Sequence, residues 1–135
     1  MGLTHHELCY GCGIANVFGL QMEAERDPGG GVTGRFFLKQ DHQGPPGLAH
    51  PGVIALALEE AMSLALAEEG VSAFPRSLEL RLEDPPPVGV FVHVSARVES
   101  AEGESVPVSA RAEVGGSEAR TLATARAVFV ASSPG

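Results

Sequence analysis

Two adjacent carboxylates, Glu59 and Glu60, sit inside a run from Gly52 to Ala67 that is apolar apart from them and Ser63. Burial among apolar side chains disfavours the charged form of a carboxyl group and raises its pKa. That suits it to acid–base or nucleophilic work near neutral pH. Just upstream lies His42-Gln-Gly-Pro-Pro-Gly-Leu-Ala-His50-Pro51-Gly52-Val53. This loop carries two histidines and feeds directly into the apolar run. A helix starting at Pro51 presents its free N–H groups and positive dipole end at that point. A donor site at a helix start plus a desolvated carboxylate is the equipment of acyl transfer, an oxyanion site and a base. Glu68 and Glu69 close the same segment and read as solvated surface.

A second group of reactive side chains stands near the N-terminus. Cys9 and Cys12 form a Cys-x-x-Cys pair, with His5 and His6 close by. Four such donors could hold zinc. A thioredoxin-like redox pair would need a βαβ context, which the pattern lacks. A packed N-terminal turn with no metal is the other reading, and it is the one implied by the family resemblance described below.

The elements that must position these groups are legible from periodicity. Phe18 to Arg26 and Val32 to Leu38 read as a strand pair across the turn Asp27-Pro-Gly-Gly-Gly31. Asp41 to Ala49 is a Gly/Pro-rich loop. His50 falls at the N-cap, Pro51 at the first helical position, and Gly70 just past the C-terminus. A helix apolar on nearly every face is buried on every face. Two glutamates at its middle argue against a membrane span. Four strands follow: Arg76 to Glu83, Val88 to Ser100, Ser105 to Val114 and Glu118 to Ala131. Their turns are Asp84 to Pro87, Ala101 to Glu104 and Gly115 to Ser117. Leu78, Leu80 and Leu82 alternate with polar residues, and the same period of two recurs at Val90, Val92, Val94, Ala96 and Val98, the mark of half-buried antiparallel strands. The order β-β-α-β-β-β-β predicts an α+β fold, with a sheet of about six strands curled around one helix.

Composition sets the outer limits. The chain has 135 residues, 44% hydrophobic and 19% charged, which predicts one globular domain over residues 1–135. Lys plus Arg number 9 against 17 Asp plus Glu, a net charge of −8. That argues against nucleic-acid binding and against a polybasic membrane surface. Met1 to Tyr10 shows no cationic start and no apolar core of a secretory signal, so a cytoplasmic location is expected.

The segment His50-Pro51-Gly52 followed by Glu59 resembles the hotdog-fold acyl-CoA thioesterases. In these, His-Gly-Gly opens the central helix, and an acidic residue follows eight positions after the first glycine. Cys9-Tyr-Gly-Cys12-Gly13 with Asn16, Gly19 and Leu20 is similar to the Cys-x-x-Cys-Gly start of one branch. Ser77 to Gly89 looks like that branch's third strand and proline-marked turn. The resemblance implies a hotdog fold working as a homodimer or homotetramer, its site lying between subunits. It implies Glu59 as base or nucleophile on the thioester carbon, and the helix start at Gly52 as oxyanion site with His50 shaping it. His42, Gln43, Asn16 and Val53 would line the pocket. Arg76, with Arg81 and Lys39, would meet the phosphates of an acyl-CoA-type ligand. No cofactor is implied.

Two departures matter. Pro51 replaces the glycine whose N–H polarises the carbonyl, and proline has no N–H. Glu59 replaces the branch's usual Asp. Hotdog dehydratases of 3-hydroxyacyl thioesters share Pro-Gly-Val at the helix start. Their His and Glu positions fall here on Gln43 and Ala57, so that reading ranks lower. A hotdog protein that binds acyl-CoA without turnover is the further alternative.

Overall fold

The computed structural model describes residues 2–115 and 119–132. Their order is β1 (Glu23–Arg26), β2 (Val32–Phe37), a short 3-10 turn (Gln40–His42), α1 (Pro51–Glu68), β3 (Ala73–Leu82), β4 (Phe91–Val98), β5 (Ser105–Val114) and β6 (Arg120–Ala131). The six strands form one antiparallel sheet in the order β1-β2-β4-β5-β6-β3. Gly116, Ser117 and Glu118, expected in the last turn and at the start of the last strand, lie outside the described residues.

The helix touches all six strands. Six strands about 4.8 Å apart are roughly 24 Å wide, about twice the diameter of a helix, so the sheet must curl to reach it. Residue size makes this wrapping possible. The buried face of β5 and β6 is largely alanine (Ala110, Ala112, Ala123, Ala125, Ala127), flanked by Val106, Val108 and Phe129. Ile54, Leu58, Met62 and Leu66 of the helix fill the space these small residues leave. Val92, Val94 and Ala96 of β4 are buried as their alternation predicts.

The helix boundaries follow the sequence signals. Pro51 takes the first helical position, and His50 Nδ1 accepts a 2.8 Å hydrogen bond from the Gly52 N–H. Gly70 ends the helix with φ 73, a left-handed turn that glycine adopts without strain.

Two expectations change. The first strand is shorter, because residues 18–22 belong to an N-terminal head instead. The Leu20 N–H donates to the Tyr10 carbonyl and the Met22 N–H to that of Gly11. Gln21 has φ 52, which breaks the extended run. Strand β3 begins at Ala73 and carries a bulge between Pro75 and Ser77, so Arg76 has no partner on β6. Pro75 is tolerated there because β3 is an edge strand.

Leu78, Leu80 and Leu82 do share a face. They oppose Ala127, Ala125 and Ala123, which are buried toward the helix. Leu78 and Leu82 nonetheless remain 40% and 51% exposed. The helix does not extend far enough sideways to cover the edge of the curled sheet.

Candidate functional site

The helix start is held by the loop before it. The His50 N–H donates to the His42 carbonyl, and Gln43 bridges Ala49. Gly44 lies so close that a Cβ there would stand 2.9 Å from the His50 Cα. Because Nδ1 of His50 accepts from Gly52, the proton of the neutral imidazole sits on Nε2. The Val53 N–H donates to the His50 carbonyl at 2.9 Å. Pro51 has no N–H, and the next two amides are already engaged. A cavity of about 220 Å³ opens beside this corner, lined by Pro51, Ile54, Leu82, Asp84 and Leu122 among others.

Glu59 and Glu60 part company on the helix, as residues about 100° apart must. Glu59 is half-buried on the side the sheet leaves open, together with Leu56 and Ser63. Burial and the adjacent Glu60 charge push its carboxyl above the usual range, while His5 pulls it back. Among the described residues no hydrogen bond contributes to that balance.

Glu60 is buried and turned to the head. Its Oε2 lies 2.7 Å from His5 Nδ1, and its two oxygens lie 3.5 and 3.6 Å from Cys9 Sγ. Cys9 Sγ and Cys12 Sγ are each 3.6 Å from His5 Nδ1. These four donors all fall within 4.8 Å of one another. His5 is raised to about 9, chiefly by its hydrogen bond to Glu60. Burial pushes the Cys12 thiol up to about 12. Burial also works against ionising Glu60, but the His5 hydrogen bond and those from the cysteines outweigh it and hold Glu60 below the usual range. His6 stands outside this group. A Cys-x-x-Cys spacing pointed to Cys9 and Cys12, but nothing in the local sequence linked them to a residue 51 positions beyond Cys9.

The residues expected to line a pocket are held by their own loops. Asn16 donates to the Leu8 carbonyl and accepts from the Phe18 N–H, which closes the head. His42 is buried edge-on against Phe36, and its Nδ1 accepts from the Lys39 N–H. Desolvation lowers its pKa, so it stays neutral. Gln43 spans the loop, donating to the Gln40 carbonyl and accepting from the Gly47 N–H. Val53 is half-buried on the first turn of the helix. Lys39 Nζ holds the head through Gln21 at 3.2 Å. Arg76 stands exposed at the β3 bulge and Arg81 further along the same strand. Among the described residues neither enters an ion pair. Ala57 is fully buried and offers no chemistry.

No protein-family model and no curated sequence matches the chain. Solved structures do. A thioesterase superfamily protein superposes with a TM-score of 0.85 at 23% identity, over 92% of this chain and 60% of its own. The present chain thus spans less than two thirds of that protein. The E. coli PaaI protein from the phenylacetic acid degradation operon gives 0.75 at 14% identity, over 82% and 83% of the two chains. A hypothetical thioesterase from Streptococcus pneumoniae, solved with coenzyme A, gives 0.70 at 12% identity, over 81% and 88%. The fold of the chain is the hotdog fold.

Proposed function

We propose that this chain hydrolyses acyl-CoA thioesters in a site assembled from two copies, with Glu59 as the base or nucleophile. One observation carries the reading. A desolvated carboxylate, without a hydrogen bond among the described residues, lies on the open face of the central helix, in a fold shared with a thioesterase superfamily protein and a hypothetical thioesterase. The S. pneumoniae relative solved with coenzyme A supports the choice of ligand.

Spacing supports the second copy. Pro51 and Glu59 are eight residues apart, which is about 12 Å along a helix. Reacting atoms must approach within about 3–3.5 Å, so one helix cannot serve one thioester with both its start and Glu59. A partner helix running the other way brings its Glu59 to this helix start. The exposed Leu78 and Leu82 on edge strand β3 give the partner an apolar seam. Homodimer and homotetramer both satisfy this arrangement.

At the helix start the missing Pro51 N–H is replaced by the His50 side chain. Gly52 fixes the imidazole so that Nε2–H is the outward donor, and the helix dipole lies behind it. With Glu59 as base, its carboxylate takes a proton from water while the water oxygen bonds to the thioester carbon. The carbonyl oxygen gathers charge at His50. The C–S bond then breaks, and the CoA thiolate leaves with that proton. With Glu59 as nucleophile, its oxygen displaces the thiolate to form an anhydride, which water opens. A single turnover in ¹⁸O-labelled water that leaves label in Glu59 identifies the second route with water attacking the Glu59 carboxyl carbon; attack at the acyl carbon labels the product by either route. Arg76 and Arg81 supply local positive charge for the CoA phosphates against the overall −8.

Binding without turnover is the second reading, favoured by the engaged Gly52 and Val53 amides. Pro51→Gly tests it by restoring an N–H. Hydrolysis should rise by about tenfold or more in thiol-release assays over a panel of acyl-CoAs. If neither protein releases thiol, yet acyl-CoA raises the melting temperature of both, the chain is a binder.

A further inference from the structure

We propose that His5, Cys9, Cys12 and Glu60 bind one zinc-type divalent ion through His5 Nδ1, the two sulfurs and a Glu60 carboxylate oxygen. The ion would pin the N-terminal head to the central helix. Nothing in the hydrolytic reading requires it.

Distances carry the inference first. A tetrahedral zinc with arms of about 2.0–2.3 Å has donor–donor edges of about 3.3–3.8 Å. Cys9 Sγ to Glu60 Oε1 is 3.5 Å, and each sulfur to His5 Nδ1 is 3.6 Å. The Cys12 Sγ edges to Cys9 and Glu60 lie within 4.8 Å, and the His5–Glu60 edge, at 2.7 Å, is short. It is a hydrogen bond that the ion would replace, and a small rotation of the carboxylate opens it.

The turn itself is built for ligation. The Gly13 N–H donates to the Cys9 carbonyl at 2.8 Å, closing the Cys-x-x-Cys-Gly turn. A Cβ on Gly13 would lie 2.5 Å from the Cys9 nitrogen and 2.7 Å from its oxygen, so the turn tolerates only glycine there. Glu60 packs directly on the turn, since a Cβ at Gly11 would meet its Oε1 at 2.4 Å. The His5 backbone N–H points at Cys12 Sγ at 3.2 Å, and Thr4 Oγ1 lies 3.4 Å from it. Such donors stabilise a thiolate.

An outer shell is also in place. His5 Nε2 lies 3.3 Å from Ser63 Oγ, one turn along the helix from Glu60. A proton on Nε2 donated to Ser63 leaves Nδ1 free as a ligand, the tautomer a metal-bound histidine needs. Two thiolates with an imidazole select zinc over magnesium or calcium. Four protein donors close the shell, so the ion is structural and leaves no position for a reacting water. Binding releases the two thiol protons and the imidazolium proton to solvent. The ion then faces two thiolates, a carboxylate and a neutral imidazole, a net charge of −1.

The test uses the full chain, reduced, stripped with a strong chelator and titrated with Co(II), then Zn(II). One cobalt per chain should bind, with thiolate-to-cobalt charge-transfer absorption and the intense visible bands of a tetrahedral site. One equivalent of zinc should bleach both. Cys12→Ser should lower affinity by about 100-fold or more, and Ser63→Ala by about 10- to 100-fold. His6→Ala should leave the spectrum unchanged. Glu59→Gln should also leave it unchanged, so metal binding and hydrolysis stand or fall separately. The absence of charge-transfer absorption in the wild-type chain would overturn the proposal, whatever the variants do. So would an unchanged spectrum in Cys12→Ser, or a loss in His6→Ala equal to that in His5→Ala.

Discussion

Glu59→Gln is expected to reduce kcat/KM for acyl-CoA hydrolysis by about 10²- to 10⁴-fold, the range for losing a positioned base or nucleophile. The amide keeps the size and shape of the carboxyl but neither accepts a proton from water nor attacks a thioester. Folding should survive, and the melting temperature should hold or rise. The reason is physical. Burial already disfavours the Glu59 charge, and among the described residues no hydrogen bond to it is lost when the charge is removed. Acyl-CoA should still raise the melting temperature of the variant, because the helix start and the cations of β3 are untouched. Wild-type turnover in Glu59→Gln would sink the assignment. Glu60 could not then be promoted in its place, since its carboxylate is buried and committed to His5 and Cys9.

What the sequence revealed, and what it hid, follows from how far apart the interacting residues lie. The helix was readable because its signals are local: His50 as cap, Pro51 in the first turn, Gly70 beyond the end, and an apolar run between them. The strands β4 and β5 were readable because alternation is local too. Glu59 could be separated from Glu60 by the rotation of the helix, but not the fate of each. That Glu60 turns to the head depends on where Cys9 and His5 arrive after the chain folds back. Asn16, His42 and Gln43 have the residue types of a binding site and stand in the right segments. Their hydrogen bonds go to backbone groups two to eight residues away, and no periodicity announces such turn closures. The alternation of Leu78, Leu80 and Leu82 gave their common face correctly. It could not give their exposure, which depends on β3 being the edge of the sheet beside β6.

That edge yields a second large effect. A ten-residue edge strand carrying exposed Leu78 and Leu82 on one face is an invitation to pairing, because its free N–H and C=O groups accompany an apolar face. The double variant Leu78→Asp, Leu82→Asp places two charges on this seam. It should shift the protein to monomer in light scattering and reduce hydrolysis by about 100-fold or more, although Glu59 and His50 are intact. A monomer with wild-type turnover would show that one chain holds the whole site. The shared site also makes a sharper demand. Glu59→Gln and His50→Ala should each be inactive alone, since each homodimer spoils both of its sites. Coexpressed at equal levels they form about half heterodimers, and each heterodimer has one intact site and one doubly altered site. Activity should therefore return to about a quarter of the wild-type level. No recovery in a verified heterodimer would place the helix start and Glu59 at separate tasks within each chain. The 12 Å between them along one helix is the reason to expect recovery.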